Sequence, residues 1–242
     1  MLAFLRLEIA RVLRDRRFLI SSIVMPVGLY LLFSNIFGKG APVNGLSVDV
    51  NTMVAMAAFG AMGAVLAATG PRIAQERANG WLRQLRATPF APARMLAAKV
   101  LAAMTLGLPS VLAVTVTAAA LHGIRLPAWE WPVMAALLWV GAAPFAALGM
   151  LLGRIGDGDA AYGITSGIWF ALAAPSGMWM PIAMLPKSLR ELARALPANH
   201  FVELGWRVAA GGGPTLNDGL VLAAWTAGLG LLATLAYRRA RS

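Results

Sequence analysis

Apolar residues in this chain run together in long blocks, so the informative pattern is where the charges fall between them. Six windows contain no Asp, Glu, Lys or Arg: 18–38, 50–71, 100–124, 131–153, 160–186 and 219–237. A bilayer core about 30 Å thick needs about 20 apolar residues in helical form. Backbone amides in hydrocarbon must be hydrogen-bonded within the segment, which makes each window a predicted helix. The predicted spans are 18–38, 51–71, 100–121, 132–153, 161–181 and 219–237. Pro26, Pro109, Pro144 and Pro175 lie inside windows, where membrane helices tolerate a kink. The fold class expected is an all-α membrane protein, one domain over 1–242 with six transmembrane helices.

Two charged stretches have helical periodicity of their own. In "MLAFLRLEIARVLRDRRF", Leu2, Leu5, Ile9, Val12 and Leu13 share one face, and Glu8, Arg11, Arg14 and Asp15 share the other. That pattern predicts an N-terminal amphipathic helix in the membrane interface. Before the last window, "MWMPIAMLPKSLRELARALPANHFVELGWR" places Leu189, Leu192 and Leu196 at helical spacing. Ser188 and Glu191 fit a capping box, and Pro197 closes the turn. The stretch is too charged to span and predicts an outer amphipathic or re-entrant element, joined by "AAGGGPTLND" to the last helix.

Composition agrees with the windows. The chain is 59% hydrophobic and only 13% charged, about half the charge density of a soluble domain. Its net charge of +11 has an uneven distribution. With the N-terminus inside, fifteen of the 21 lysines and arginines fall on the cytoplasmic side of the six spans, and the acidic residues divide evenly. Positive charge marks cytoplasmic loops, so both termini are expected in the cytoplasm and no nucleic-acid partner is implied. The first window is longer than the apolar stretch of a cleaved signal peptide, about 7–15 residues, which predicts an uncleaved first span. The chain has no cysteine, which excludes disulfides and thiolate metal sites.

The motifs of common chemistries are missing. No G-x-x-x-x-G-K-[ST] loop cradles a nucleotide phosphate, and no H-E-x-x-H or Cys/His cluster offers zinc ligands. Ser166 and Ser176 lack the frame of an activated nucleophile, and His122 and His200 fall at predicted membrane boundaries. No ionisable residue lies well inside a predicted span. Ion-coupled transporters carry such groups to hold the coupling ion, so energy for uphill transport would have to arrive from outside the bilayer.

The polar run "ERANGWLRQLRATP" at 76–89 interrupts the apolar blocks, on the cytoplasmic side between the second and third spans. There it resembles the cytoplasmic coupling segment of ABC-2 type transporter permeases, which commonly read E-R-E-x-G-T-L-E-Q-L-x-x-T-P. Glu76, Arg77, Gly80, Leu82, Gln84, Leu85, Thr88 and Pro89 match that pattern. Arg83 stands where many relatives have Glu, and Trp81 where many have Thr. The segment before the last helix, with Pro181, Leu185, Pro186, Pro197 and Arg207, is also similar to the family's outer segment.

The resemblance implies a membrane subunit without its own ATPase site, in the plasma (inner) membrane of a bacterium. Its implied partners are a separate ABC ATPase that binds ATP and Mg, a second permease copy and membrane lipids. A cytoplasmic coupling helix carrying Glu76, Arg77, Gly80, Arg83, Gln84 and Arg86 would meet the ATPase. Glu76 and Arg83, seven residues apart, would share a helix face with Gly80 between them. Charge-free spans with Trp139, Phe145, Trp169, Phe170, Met178 and Trp179 suit the path of a lipophilic or amphiphilic, drug- or antibiotic-like export substrate. The alternatives are export of a polysaccharide or glycolipid, or a scaffold subunit that transports nothing.

Overall fold

A computed structural model describes residues 6, 7, 9, 10, 14–38, 40–80, 92–156 and 158–239. The described backbone is nearly all helical, as the charge-free windows predict. The helices are α1 (Arg16–Phe37), α2 (Val48–Ala78), α3 (Pro92–Leu121), α4 (Glu130–Gly141), α5 (Ala143–Leu152), α6 (Gly158–Ala173), α7 (Lys187–Ala195), α8 (Pro197–Ala209) and α9 (Leu216–Arg239). Residues 6, 7, 9, 10 and 14 are helical too, ahead of Asp15. Asp15 ends that segment and caps α1, its carboxylate accepting from the Phe18 amide at 3.1 Å. The rest of the amphipathic N-terminal segment lies outside the described residues.

Helix α2 is the axis of the bundle. It packs against α1, α3, α5 and α6, and 94% of its most apolar window is buried. Its 31 residues reach about 46 Å at 1.5 Å per residue, well beyond a hydrocarbon core of about 30 Å. The predicted span 51–71 therefore continues without a break through Ala78, because nothing from Arg72 to Ala78 opposes helix and the fourth-residue hydrogen bonds propagate. Glycine admits the neighbours. The Trp169 ring occupies the space a Cβ at Gly63 would need, and the Thr165 hydroxyl fills the same space at Gly70.

Among the described residues, five stretches are long and apolar enough to cross a membrane: Phe18–Phe37, Val48–Ala78, Ala97–Leu121, Glu130–Leu152 and Leu216–Tyr237. The fourth is broken at Ala142, just before Pro144, whose ring and missing N–H interrupt the ladder. The fifth predicted span is corrected. In place of a helix over 161–181, α6 starts at Gly158 and ends at Ala173, and its 16 residues reach only about 24 Å. Pro175 and Gly177, which has φ +94°, turn the chain instead. A 3-10 turn (Ile182–Met184), α7 and α8 follow.

The outer segment departs from its predicted detail. Helix α7 begins at Lys187 behind Pro186 with no side-chain cap, so Ser188 and Glu191 form no capping box. Leu196 is extended, and Pro197 opens α8 at its first position, where a missing N–H is harmless. Helix α8 is buried along most of its length. It packs on α2, α4 and α9, with Phe201 edge-on to Phe145 at 5.2 Å.

A Gly63→Val variant tests the central packing. The added methyls meet the Trp169 indole, and overpacking of this kind costs about 1–3 kcal/mol. A lowered unfolding temperature of the purified protein is expected. An unchanged one would contradict the packing described.

Candidate functional site

The last turn of α2 carries the first residues of the polar run, and its side chains tie together the ends of four helices. Glu76 is buried, and both its carboxylate oxygens accept from Lys99 Nζ on α3, at 2.8 and 2.7 Å. The pair is almost closed to solvent, with side chains 11% and 6% exposed. Removing one partner of such a pair strands a charge in a poor solvent, at a cost of about 3–5 kcal/mol.

Arg77, the next residue, points elsewhere. Its Nη1 donates to the Arg154 carbonyl at 2.5 Å and its Nη2 to the Gly156 carbonyl at 2.6 Å. These carbonyls follow the end of α5, where a cation also complements the helix dipole. Arg154 repeats the device on α9. Its Nη1 donates to the Ala236 carbonyl at 2.6 Å, in the last described turn of that helix. Its guanidinium carbon lies 5.4 Å from the centroid of the Tyr237 ring, within cation–π range.

The expectation that Gly80 lies between Glu76 and Arg83 on one helix face is corrected. The helix ends at Ala78, and Gly80 follows the Asn79 cap with φ +70°. Its amide bonds the Arg77 carbonyl at 3.2 Å, and among the described residues beyond its chain neighbours no atom lies within 4 Å of where its Cβ would be. Gly80 is a left-handed terminator, a conformation open to glycine at little cost. Of the other predicted coupling residues, Arg83, Gln84 and Arg86 lie outside the described residues.

The six apolar path candidates divide. Trp169 and Phe59 stack at 4.3 Å between centroids, and the Trp169 indole N–H donates to the Phe59 carbonyl at 3.1 Å. Phe170 and Trp179 close on the same ring at 5.9 and 5.7 Å. Trp179 keeps its exposed edge, at 38%. Phe145 and Met178 are core residues, and Trp139 is partly buried with its indole nitrogen enclosed. A separate apolar groove of about 890 Å³ runs between α4–α5 and α9, lined by Leu137, Val140, Pro144, Leu204, Leu220 and Thr226.

Sequence reasoning missed Lys99, Arg154 and Phe59. Lys99 had a signal, since it is the last charge before an apolar window. Phe59 had one as well: it is the aromatic in "AAFGAMG", with Gly63 one turn on to admit a second ring.

A bundle of long apolar helices whose ends are locked by ion pairs defines a multi-pass membrane protein. The family model described as ABC-2 type transporter matches residues 1–205. The chain belongs to that family, whose members are membrane transport subunits and not the ATPase. It is also similar to "Putative transport permease YvfS" of Bacillus subtilis (strain 168), at 31% identity over 218 residues, covering 90% of this chain and 89% of that one.

Glu76→Gln is expected to lower the unfolding temperature sharply. The double variant Glu76→Gln/Lys99→Met, which leaves no unpaired charge, is expected to recover much of the loss. A double variant less stable than either single one would show that the pair does not act as a unit.

Proposed function

We propose that this chain is the permease subunit of an ATP-driven exporter that moves a lipophilic or amphiphilic, drug- or antibiotic-like compound out of the cell. A separate ABC ATPase binds ATP and Mg and docks on the run at 76–89, with Arg83, Gln84 and Arg86 beyond the latch. The observation that carries the reading is the latch itself. Glu76 and Arg77 join the base of the run to α3, to the α5–α6 junction and, through Arg154, to α9. A push on the run would therefore move several helices together, as coupling to an outside energy source requires.

The latch end collects Arg72, Arg77, Lys99 and Arg154, and the positive-inside bias puts it in the cytoplasm with both termini. The membrane would be the bacterial plasma membrane. A second permease copy would complete the path. On α6, Gly163 and Gly167 have open space beside them, which lets another helix approach closely. The Phe59, Trp169, Phe170 and Trp179 cluster would offer the substrate an aromatic surface. The laterally open groove beside α9 favours a second reading, export of a lipid-linked sugar drawn in from the bilayer.

Orientation is checked by single cysteines, since the chain has none of its own. A cysteine at Asn79 should react with a membrane-impermeant maleimide only after cells are opened, and one at Gly213 should react in intact cells. The reverse pattern would overturn the orientation. Coupling is checked with Arg77→Gln, which removes two charge-assisted hydrogen bonds from an exposed side chain. Transport in the reconstituted complex should fall about tenfold while the ATPase still co-purifies. Unimpaired transport would sink the coupling role, and a complex that never transports would favour the scaffold.

A further inference from the structure

The end of the bundle opposite the latch holds a polar pocket of about 520 Å³ between α7 and α8. Three guanidinium groups line it, those of Arg190, Arg194 and Arg207, together with Glu203, Asn199 and Trp206. Their charges are not equally balanced. Arg207 Nη2 lies 2.7 Å from Glu203 Oε2, and its Nε lies 3.0 Å from Asp218 Oδ2. Asp218 is shared further, accepting from Thr215 Oγ1 at 2.5 Å and lying 2.8 Å from His200 Nδ1. Arg207 is thus neutralised within the fold. Arg190 and Arg194 pair with no carboxylate among the described residues, which leaves the pocket a net positive site.

Arg190 is also held in place. Its Nη2 donates to the carbonyls of Ala183 and Leu185 at 2.9 and 3.2 Å. Its Nε is buried without a partner. The guanidinium of Arg190 is thus fixed in place at the pocket edge, beside the exposed guanidinium of Arg194, and two guanidinium groups on one wall supply charged donors of the kind that bind phosphate. The surroundings indicate where that oxygen comes from. Met184, Leu189 and Leu192 are exposed at 75%, 43% and 52% on the same segment. A short amphipathic helix with bare leucines beside arginines fits the headgroup level of a bilayer.

We propose that this pocket binds a phosphate group, held by Arg190 and Arg194 against the Trp206 wall, with the headgroup of an acidic phospholipid as its source. The proposal stands on the permease alone and does not depend on transport, so its failure would leave the exporter reading untouched.

The test uses the purified full chain in nanodiscs of mixed phosphatidylglycerol and phosphatidylcholine, with retained lipid read by native mass spectrometry. Wild type should retain phosphatidylglycerol preferentially. Arg194→Gln, at an exposed position that the fold does not need, and Arg190→Gln should each lower that preference about fivefold, as expected for one basic group at a lipid surface. Arg125→Gln, a charge outside the pocket, should leave it unchanged. A second arm uses phosphatidylcholine discs alone with added inorganic phosphate. A rise in unfolding temperature that Arg194→Gln abolishes would support the same phosphate site with a soluble source. Equal retention in wild type and both pocket variants with no phosphate effect, or an equal loss in Arg125→Gln, would overturn the site.

Discussion

A carboxylate and an ammonium buried together hold the last turn of α2 against α3. Glu76 and Lys99 come from two helices whose junction the chain reaches only after the polar run, and their contact closes that excursion. Ion pairs of this kind contribute modest net stability against apolar replacements but punish the loss of one partner. Their value here is positional. The pair fixes the last turn of α2, Arg77 on that turn fixes the end of α5, and Arg154 then reaches the end of α9. These contacts join α2 to α3, to the chain after α5 and, through Arg154, to α9 by charged side chains.

The length of α2 makes this possible. A helix that stopped with the apolar window at Pro71 would carry neither Glu76 to Lys99 nor Arg77 to the carbonyls after α5. Two further turns carry Glu76 and Arg77 out to where the other helices end. At the opposite end, α6 falls short of the membrane thickness and α8 turns back into the bundle, packing Phe201 on Phe145 and donating the Trp206 indole N–H to the Asn51 carbonyl at 3.0 Å. The bundle is therefore asymmetric along its axis, with full-length helices at the latch and a folded-back cap at the other end.

Much of this was legible in the sequence because lipid imposes a coarse rule. A charge-free window of adequate length must be helical, and the windows located the bundle and the run between α2 and α3. Local signals did less well. The Ser188 capping box failed because α7 starts two residues early, with Pro186 at its N-cap, and the span at 161–181 failed because "APSG" turns even where apolar composition would allow helix. The Glu76–Lys99 pair was not readable, since 23 residues and an interruption separate the partners and no period links them. Gly80 was expected on a helix face between Glu76 and Arg83, but its backbone angle assigns it to helix termination. The Gly63 beside Phe59 signalled a close ring contact, but not its partner, since Trp169 lies 110 residues on in another helix.

Amide hydrogen exchange across Arg72–Ala78 measures the central claim directly. These residues form the end of α2 that the Glu76–Lys99 pair holds, so their exchange reports whether the pair keeps that end closed. The account predicts slow exchange in the wild-type permease and fast exchange in the Lys99→Met variant, with the middle of α2 protected in both. Fast exchange in wild type, or the same slow exchange in both proteins, would show that the buried pair does not hold the end of α2.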